Sequence, residues 1–233
     1  MNFLLKGNNN KIIPQLIETG KTFDLILTDP PYNVSRKHQL GFSNMGRKGM
    51  DFGEWDYEFN QLTWLDGIAK VLNKNGSIII FNDWKNMGLI ATKLEKEGFI
   101  VKDLLKWEKK NPMPRNTNRR YVTDYEYAIW ATKKGGKWTF NKGDKPYARP
   151  TFSHSIPAGG KKRIHPTQKP TSLLKEIIEI HTNKGDTILD PFSGSGSTGV
   201  AAEEIGRNFT LIERNSEFYE KSKEQFSKIA TTL

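Results

Sequence analysis

The chain has 233 residues, of which 36% are hydrophobic and 27% charged, a balance typical of one globular domain or of one domain with an insertion. Cysteine is absent, which excludes disulfide scaffolds, thiolate metal sites and thiol nucleophiles. Lys and Arg number 36 against 26 Asp and Glu, and this surplus favours a polyanionic partner such as nucleic acid.

No apolar run is long enough to span a bilayer, and the opening residues lack the long apolar stretch and small-residue cleavage site of a secretory signal. We therefore expect a cytoplasmic protein without a membrane partner. We also expect no metal site.

The first half of the chain alternates apolar strands with helical patterns. Strands are predicted at 23–28 and 77–81, and helices at 62–72, closed by Asn75-Gly76, and at 87–97, closed by Gly98.

The second half continues the alternation. Strands are predicted at 104–107, 125–130, 187–190 and 209–213, and helices at 171–182, 198–205 and 218–229. Strands that alternate with helices predict an α/β fold with a parallel, doubly wound sheet. Residues 33–58 and 141–163, rich in Gly, Pro, Asn and basic residues, are predicted to be mobile loops.

The basic surplus lies in one segment. Between Lys109 and Arg163 there are fourteen Lys or Arg and three acids, whereas the rest of the chain carries 22 basic and 23 acidic residues. Arg can pair with guanine edges or phosphates and Asn with adenine edges, so this segment is a candidate DNA-binding surface. The candidate contacts are Lys109, Lys110, Arg115, Asn118, Arg119, Arg120, Lys161, Lys162 and Arg163.

A glycine-rich turn follows the strand at 187–190 and precedes a helix. It reads DPFSGSGSTG over 190–199, and within it Gly194, Gly196 and Gly199 satisfy GxGxxG. Glu213 lies nineteen residues beyond Gly194, at the end of the next strand, where a carboxylate can accept both hydroxyls of a ribose. This pattern indicates an adenosine-containing cofactor and leaves a nicotinamide dinucleotide and S-adenosylmethionine open.

The tetrapeptide Asp29-Pro30-Pro31-Tyr32 follows the strand at 23–28. The carboxyl ends of strands in open α/β sheets hold ligands, so these residues should face the same crevice as the glycine-rich turn. Two prolines fix both φ angles and leave the Pro30 carbonyl as a rigid acceptor. Asp29 adds a second acceptor and Tyr32 a stacking surface, a combination that fits the exocyclic amino group of a planar base.

Hydrogen bonds from such an amino group to Asp29 and Pro30 would localise its lone pair toward an electrophilic methyl group, held close and in line. Asp29 would then stabilise the cationic nitrogen and pass its proton to water. Methylation at carbon 5 of cytosine requires an enzyme thiolate, which this chain lacks. A base inside a duplex must be rotated out of the stack, with Tyr32 as its stacking partner.

Three motifs in this order, DPPY at 29–32, HPTQKP at 165–170 and DPFSGSGSTG at 190–199, resemble the beta-class bacterial DNA amino-methyltransferases of restriction–modification systems. The resemblance implies a circularly permuted Rossmann-like, S-adenosylmethionine-dependent methyltransferase fold. It also implies one domain over 1–233 with an embedded target-recognition segment at 108–163. It allows a homodimer and a cognate restriction endonuclease as partners.

The resemblance also implies site residues. Asp29, Pro30, Pro31 and Tyr32 would be catalytic, with Asp29 also near the methionine amine of the cofactor. Thr167 and Lys169 would approach the methionine carboxylate, and Asn8 stands where many relatives carry an aspartate that contacts the cofactor adenine. The rest of the implied cofactor pocket consists of Asp190, Phe192, Ser193, Gly194, Ser195, Gly196, Thr198 and Glu213.

The leading hypothesis is transfer of a methyl group to adenine N6 in a specific double-stranded DNA site. Methylation of cytosine N4 requires the same geometry, although SPPY is the more common signature of that activity. RNA and a protein amide are weaker alternatives as substrates. A nonenzymatic DNA-binding subunit and a dinucleotide-dependent oxidoreductase are the alternatives from other classes.

Overall fold

The computed structural model describes residues 1–33, 59–114, 117–119, 121–157, 168–226 and 228–232. The strands are β1 Phe3–Lys6, β2 Phe23–Thr28, β3 Leu72–Asn82, β4 Phe99–Lys109, β5 Tyr125–Lys133, β6 Thr151–His154, β7 Thr187–Asp190 and β8 Asn208–Glu213. The helices are α1 Asn9–Glu18, α2 Met87–Lys96, α3 Thr171–His181, α4 Ser197–Glu204 and α5 Ser216–Lys223, with 3₁₀ turns at Thr63–Leu65, Ile68–Val71 and Trp84–Asn86.

Across the described residues the strands form one sheet in the order β1-β8-β7-β2-β3-β5-β4-β6. The first five of these are parallel neighbours. If β7 is counted as the first strand, their order is the 3-2-1-4-5 of a Rossmann sheet. The chain therefore has a circularly permuted Rossmann-like fold, as predicted, in which the C-terminal third supplies the first strand.

Apolar residues on alternate positions of the central strands face two separate cores. Leu25 and Leu27 of β2 pack with α3, α4 and α5 on one face of the sheet. Ile26 of the same strand packs with α1, α2 and the 3₁₀ turns on the other. A sheet buried on both faces reads as a continuous apolar run, which is why 23–28 was recognisable in the sequence.

Three predictions about the secondary structure and the sheet were wrong. The predicted helix at 62–72 is replaced by two 3₁₀ turns, because Gly67 between them adopts a left-handed φ of 73° that interrupts a helix. β3 begins at Leu72 and runs through Asn75-Gly76, so that pair does not cap a helix. The sheet is mixed instead of parallel, since β5 runs antiparallel to β3 and β4.

The predicted target-recognition segment at 108–163 includes parts of the sheet. β5 lies between β3 and β4, with Ala128 and Ala131 fully buried. β6 pairs with β4 inside the range predicted to be a loop at 141–163, which corrects that prediction in part. The last helix, α5, is shorter than the predicted 218–229. The predicted loop at 33–58 lies outside the described residues.

Candidate active site at the switch point of the sheet

The glycine-rich turn and the Asp29–Tyr32 tetrapeptide leave adjacent parallel strands. β2 pairs with β7 through Leu25 opposite Ile188, and the sequence order of the strands reverses between these two. The Thr28 hydroxyl donates a 2.7 Å hydrogen bond to Asp190 Oδ1, which joins the ends of the two strands directly. In open α/β sheets the crevice at such a reversal holds the ligand.

Asp190 fixes the start of the glycine-rich turn. Besides Thr28, it accepts hydrogen bonds from the Phe192 N–H at 3.1 Å and the Thr198 hydroxyl at 2.6 Å. Burial raises the pKa of this carboxyl to about 6, although its three donors act in the opposite direction. Asp190 therefore clamps β2, β7 and the start of α4 together.

The glycines of the turn have physical reasons to be glycines. Gly194 and Gly196 adopt left-handed φ angles of 50° and 77°, which other residues rarely adopt. At Gly199, a Cβ would lie 2.8 Å from Leu211 Cδ1 and 2.9 Å from Phe226 Cζ, so a larger residue would have to displace these buried side chains where α4 packs on β8. This matches the role of the third glycine in the fingerprint.

Glu213 closes the turn from β8. Its Oε2 accepts the Gly194 N–H at 2.8 Å and its Oε1 the Asn215 N–H at 2.6 Å. Burial raises the pKa of Glu213 above its ordinary value, while these N–H groups act to lower it. Each oxygen keeps a second lone pair, so the carboxylate can still accept a ligand's hydroxyl groups.

Two more residues of the turn, one buried and one partly buried, bear on a ligand. The Ser193 hydroxyl is buried and has no hydrogen-bond partner among the described residues. The Phe192 ring packs edge-on against Phe59 and Trp64, with centroid distances of 5.4 and 5.1 Å. The aromatic contacts fix the turn, and the unpaired hydroxyl is available to a polar ligand.

Asp29 lies in a compact charged cluster. Its Oδ1 accepts the Tyr32 hydroxyl, and its Oδ2 accepts Lys169 Nζ at 2.5 Å. Burial raises the pKa of Asp29 and the nearby Glu126 raises it further, against the opposing effect of Lys169. Burial also raises the pKa of Tyr32 well above its ordinary value, with Asp29 adding to the effect. Tyr32 therefore stays protonated and donates its hydroxyl hydrogen to Asp29, a carboxylate whose basicity is raised.

Lys169 is 6% exposed and lies between two carboxylates. Its Nζ is 3.1 Å from Glu126 Oε2 in addition to its bond with Asp29. Burial disfavours the ammonium, but the two carboxylates overcome this effect and raise the pKa of Lys169. The ammonium also lies over the rings of Tyr32 and Phe81, at 5.4 and 5.1 Å from their centroids.

Sequence reasoning missed Glu126. Its other oxygen, Oε1, is 2.9 Å from Lys109 Nζ. Burial acts to raise the pKa of Glu126, yet Lys169 and Lys109 together lower it to about 2, so this group is ionised. Glu126 belongs to no motif, and the only signal in the sequence was that it is one of three acids within a strongly basic segment.

A polar network, also missed, supports the tetrapeptide. Gln61 donates to the Pro31 carbonyl at 2.7 Å and accepts from Asn82 at 2.9 Å. Asn86 donates to the Tyr32 carbonyl at 3.3 Å and to Asn82 at 2.7 Å. The only signal in the sequence was the polar Asn82 that follows the predicted strand at 77–81.

The remaining predicted residues fall into three groups. Asn8 is exposed and caps α1 by accepting the Asn10 N–H at 2.9 Å. Lys110, Asn118 and Arg119 are exposed, whereas Lys109 is bound to Glu126. Outside the described residues lie Arg115, Arg120, Lys161, Lys162, Arg163 and Thr167.

The described parts of the chain contain no group of three His, Asp or Glu residues that could hold a metal ion. Among those same ranges, no helix is long and apolar enough to cross a membrane.

The fold and the site together define an α/β protein with a crevice at the switch point of its sheet, where a glycine-rich turn lies beside a carboxylate and a tyrosine. Residues 23–224 match the family model described as DNA methylase. The chain belongs to this family, which confirms the family predicted from the three motifs.

Individual relatives agree with this assignment. The type II methyltransferase M2.MboI of Moraxella bovis is 35% identical over 232 residues, covering 91% of this chain and 83% of the relative. M2.DpnII of Streptococcus pneumoniae is 34% identical over 239 residues, covering 91% and 88%.

Solved structures agree as well. The crystal structure of the M1.HpyAVI–SAM complex has a TM-score of 0.81 and 38% identity, covering 98% of this chain and all of that one. PvuII DNA methyltransferase (cytosine-N4-specific) shares the fold, with a TM-score of 0.71 at 17% identity over 98% of this chain and 87% of that one.

Proposed function

We propose that this chain is a site-specific DNA methyltransferase that transfers a methyl group from S-adenosylmethionine to adenine N6 in double-stranded DNA, as part of a restriction–modification system. The observation that carries the proposal is the Thr28–Asp190 contact, which joins the DPPY strand to the strand of the glycine-rich turn. A base amine held by the first and a cofactor held by the second would meet in one crevice.

The glycine-rich turn fits S-adenosylmethionine. Its Ser193 hydroxyl is buried and finds no partner in the described parts of the chain, which suits a ligand that brings polar atoms of its own. Glu213 is 9% exposed and retains acceptor capacity for ribose hydroxyls. The pocket would comprise Asp190, Phe192, Ser193, Gly194, Ser195, Gly196, Thr198 and Glu213. Asn8, Thr167 and Lys169 remain predictions toward the adenine and the methionine carboxylate.

When bound, S-adenosylmethionine supplies an electrophilic methyl group on a sulfonium. Asp29 accepts one N–H of the adenine amine and the Pro30 carbonyl accepts the other, which localises the nitrogen lone pair. Once the nitrogen is cationic, Asp29 stabilises the charge and takes up the proton, for which its raised pKa suits it. Tyr32 stacks on the base, and Pro31 fixes the backbone between Pro30 and Tyr32.

The adenine must leave the duplex to reach this crevice, so the protein has to hold distorted DNA. The exposed Lys110, Asn118 and Arg119 are the described candidates for that contact, with 108–163 as the proposed target-recognition segment. Its β5 portion belongs to the sheet, so the DNA-contacting parts would flank this strand. We also propose that the protein forms a homodimer, works with a cognate restriction endonuclease and is located in the cytoplasm.

The test is to incubate the protein with isotope-labelled S-adenosylmethionine and double-stranded DNA of mixed sequence, digest the DNA and identify the modified nucleoside by mass spectrometry. We expect labelled N6-methyladenine. Labelled N4-methylcytosine would replace the adenine assignment, and the absence of any methylated base would overturn the proposed activity.

A further inference from the structure

We propose that Glu126 is a positioning residue for methyl transfer, which acts through Lys169 to set the charge and the orientation of the Asp29 carboxylate. This inference rests on the proposed function of the same site. Glu126 lies outside all three motifs, 97 residues beyond Asp29 in the chain.

The sheet brings Glu126 to the site. It is the second residue of β5, opposite Trp107 of β4, and it shares a strand face with Ala128 and Trp130. Phe81 of β3, paired with Ala128, lies on that face beneath the Lys169 ammonium. Because β5 is antiparallel, its first residues lie at the sheet edge where β2 and β3 end.

The contacts form a chain of alternating charge that ends at Asp29. Lys109 Nζ is 2.9 Å from Glu126 Oε1, Lys169 Nζ is 3.1 Å from Glu126 Oε2, and Lys169 donates to Asp29 Oδ2 at 2.5 Å. Two ammonium groups are thus balanced by two carboxylates. Neutralising Glu126 would leave two ammonium groups against Asp29 alone, beside the nitrogen that becomes cationic.

Glu126 also determines how strongly Lys169 binds Asp29. Both carboxylates contact the same ammonium, so they lie within about 6 Å of each other. Without the Glu126 charge, Lys169 would interact with Asp29 alone, and Asp29 would lose a neighbour that raises its pKa. Asp29 would become a weaker acceptor for the adenine amine and would ionise at lower pH.

The first measurement is the pH dependence of kcat for the wild type and for Glu126→Gln. We expect kcat of Glu126→Gln to fall on the order of 10- to 100-fold, as for loss of one electrostatic contact to a transition state. The acidic limb of its profile should move to lower pH by about one unit. Among the described residues, Tyr32 and Asp190 are the other ionisable groups that interact with Asp29, and Asp83 interacts with Tyr32; this variant leaves all three unchanged.

A double variant tests the charge balance itself. Glu126→Gln with Lys109→Met restores one carboxylate to one ammonium, so we expect it to recover part of the lost kcat while keeping the shifted acidic limb. It also removes the partly buried Lys109 ammonium that the single variant leaves without Glu126, and it therefore provides the same measurement if the single variant fails to fold. Glu204→Gln, which removes a surface ion pair with Lys175, is the matched control and should behave as wild type.

A readout without cofactor or DNA is the carboxyl pKa of Asp29, measured by carbon-13 NMR. It should be lower in either Glu126 variant than in the wild type. An unmoved acidic limb together with an unmoved Asp29 pKa would overturn the inference, even if kcat falls, because a merely structural residue would give that result. A wild-type protein that methylates no base would instead refute the proposed function.

Discussion

The packing of α4 against the sheet makes Gly199 and Gly88 a matched pair of test positions. Gly199 lies in α4 and Gly88 in α2, and neither has a left-handed φ. A Cβ at Gly199 would lie 2.8 Å from Leu211 Cδ1, 2.9 Å from Phe226 Cζ and 3.2 Å from Phe209 Cε2. Among the residues that the structure describes, a Cβ at Gly88 would meet no atom within 4 Å.

The same substitution should therefore have opposite effects at the two sites. Gly88→Ala gains helix propensity and should raise the free energy of unfolding by about 0.5–1 kcal/mol. Gly199→Ala makes the same gain but overpacks a buried contact at a cost of roughly 1–3 kcal/mol, so we expect a net loss on the order of 1 kcal/mol.

The assay is urea unfolding of both variants and the wild type, followed by far-UV circular dichroism with linear extrapolation. Gly199→Ala should also bind S-adenosylmethionine more weakly, because a shift of α4 moves the turn that precedes it. If Gly199→Ala proved as stable as Gly88→Ala, α4 would not pack as described, and the explanation given for the third glycine would be refuted.

Three further predictions concern other parts of the molecule. Glu213→Ala should weaken S-adenosylmethionine binding on the order of 10- to 100-fold in calorimetry, and unchanged affinity would refute the ribose assignment. Replacing Arg115, Arg119 and Arg120 by Ala should weaken DNA binding and reduce the slope of log affinity against log salt by up to about 3; an unaltered slope would count against the basic segment. Burial lowers the pKa of His181 to about 3. Below about pH 6.5 the imidazole is therefore protonated in the unfolded chain but stays neutral in the folded chain. We expect this difference to lower the free energy of unfolding by about 2 kcal/mol from pH 7 to 5. Urea titrations at both pH values should show less of this drop in His181→Gln, and equal drops would contradict it.

The sequence was sufficient for the parts of the site that local pattern determines. DPPY and the glycine-rich turn each follow an apolar strand that is buried on both faces of the sheet. The carboxyl ends of parallel strands lie at one edge of the sheet, so the two motifs were expected to meet there. The family and the permuted strand order were predicted from these motifs, and both are confirmed.

The errors arose where tertiary contacts override local pattern. Asn75-Gly76 looked like a helix end, but Gly76 lies in β3, where a Cβ would be 2.9 Å from the Asp24 carbonyl of β2. The glycine is needed for close approach of two strands, a contact that no local window contains. β1 and α1 had no prediction, and α1 contains Pro14, a residue normally read as a helix breaker.

Glu126 could not have been found from the sequence for a related reason. Its place beside Asp29 depends on β5 running antiparallel between β3 and β4, whereas a parallel sheet was predicted. In the same way, Lys109 was predicted to contact DNA from its position in a basic segment. Its ion pair with Glu126 became visible only once the register of β4 and β5 was known.

Under the proposed function, Asp29 acts on the amine that receives the methyl group. The most direct test is single-turnover methyl transfer from labelled S-adenosylmethionine to DNA by the wild type and by Asp29→Asn, with DNA affinity and circular dichroism measured on both. We predict a rate for Asp29→Asn that is lower by at least about 10³-fold, with DNA affinity and fold retained. A variant that keeps its fold and DNA affinity and still transfers methyl groups within tenfold of the wild-type rate would contradict this claim.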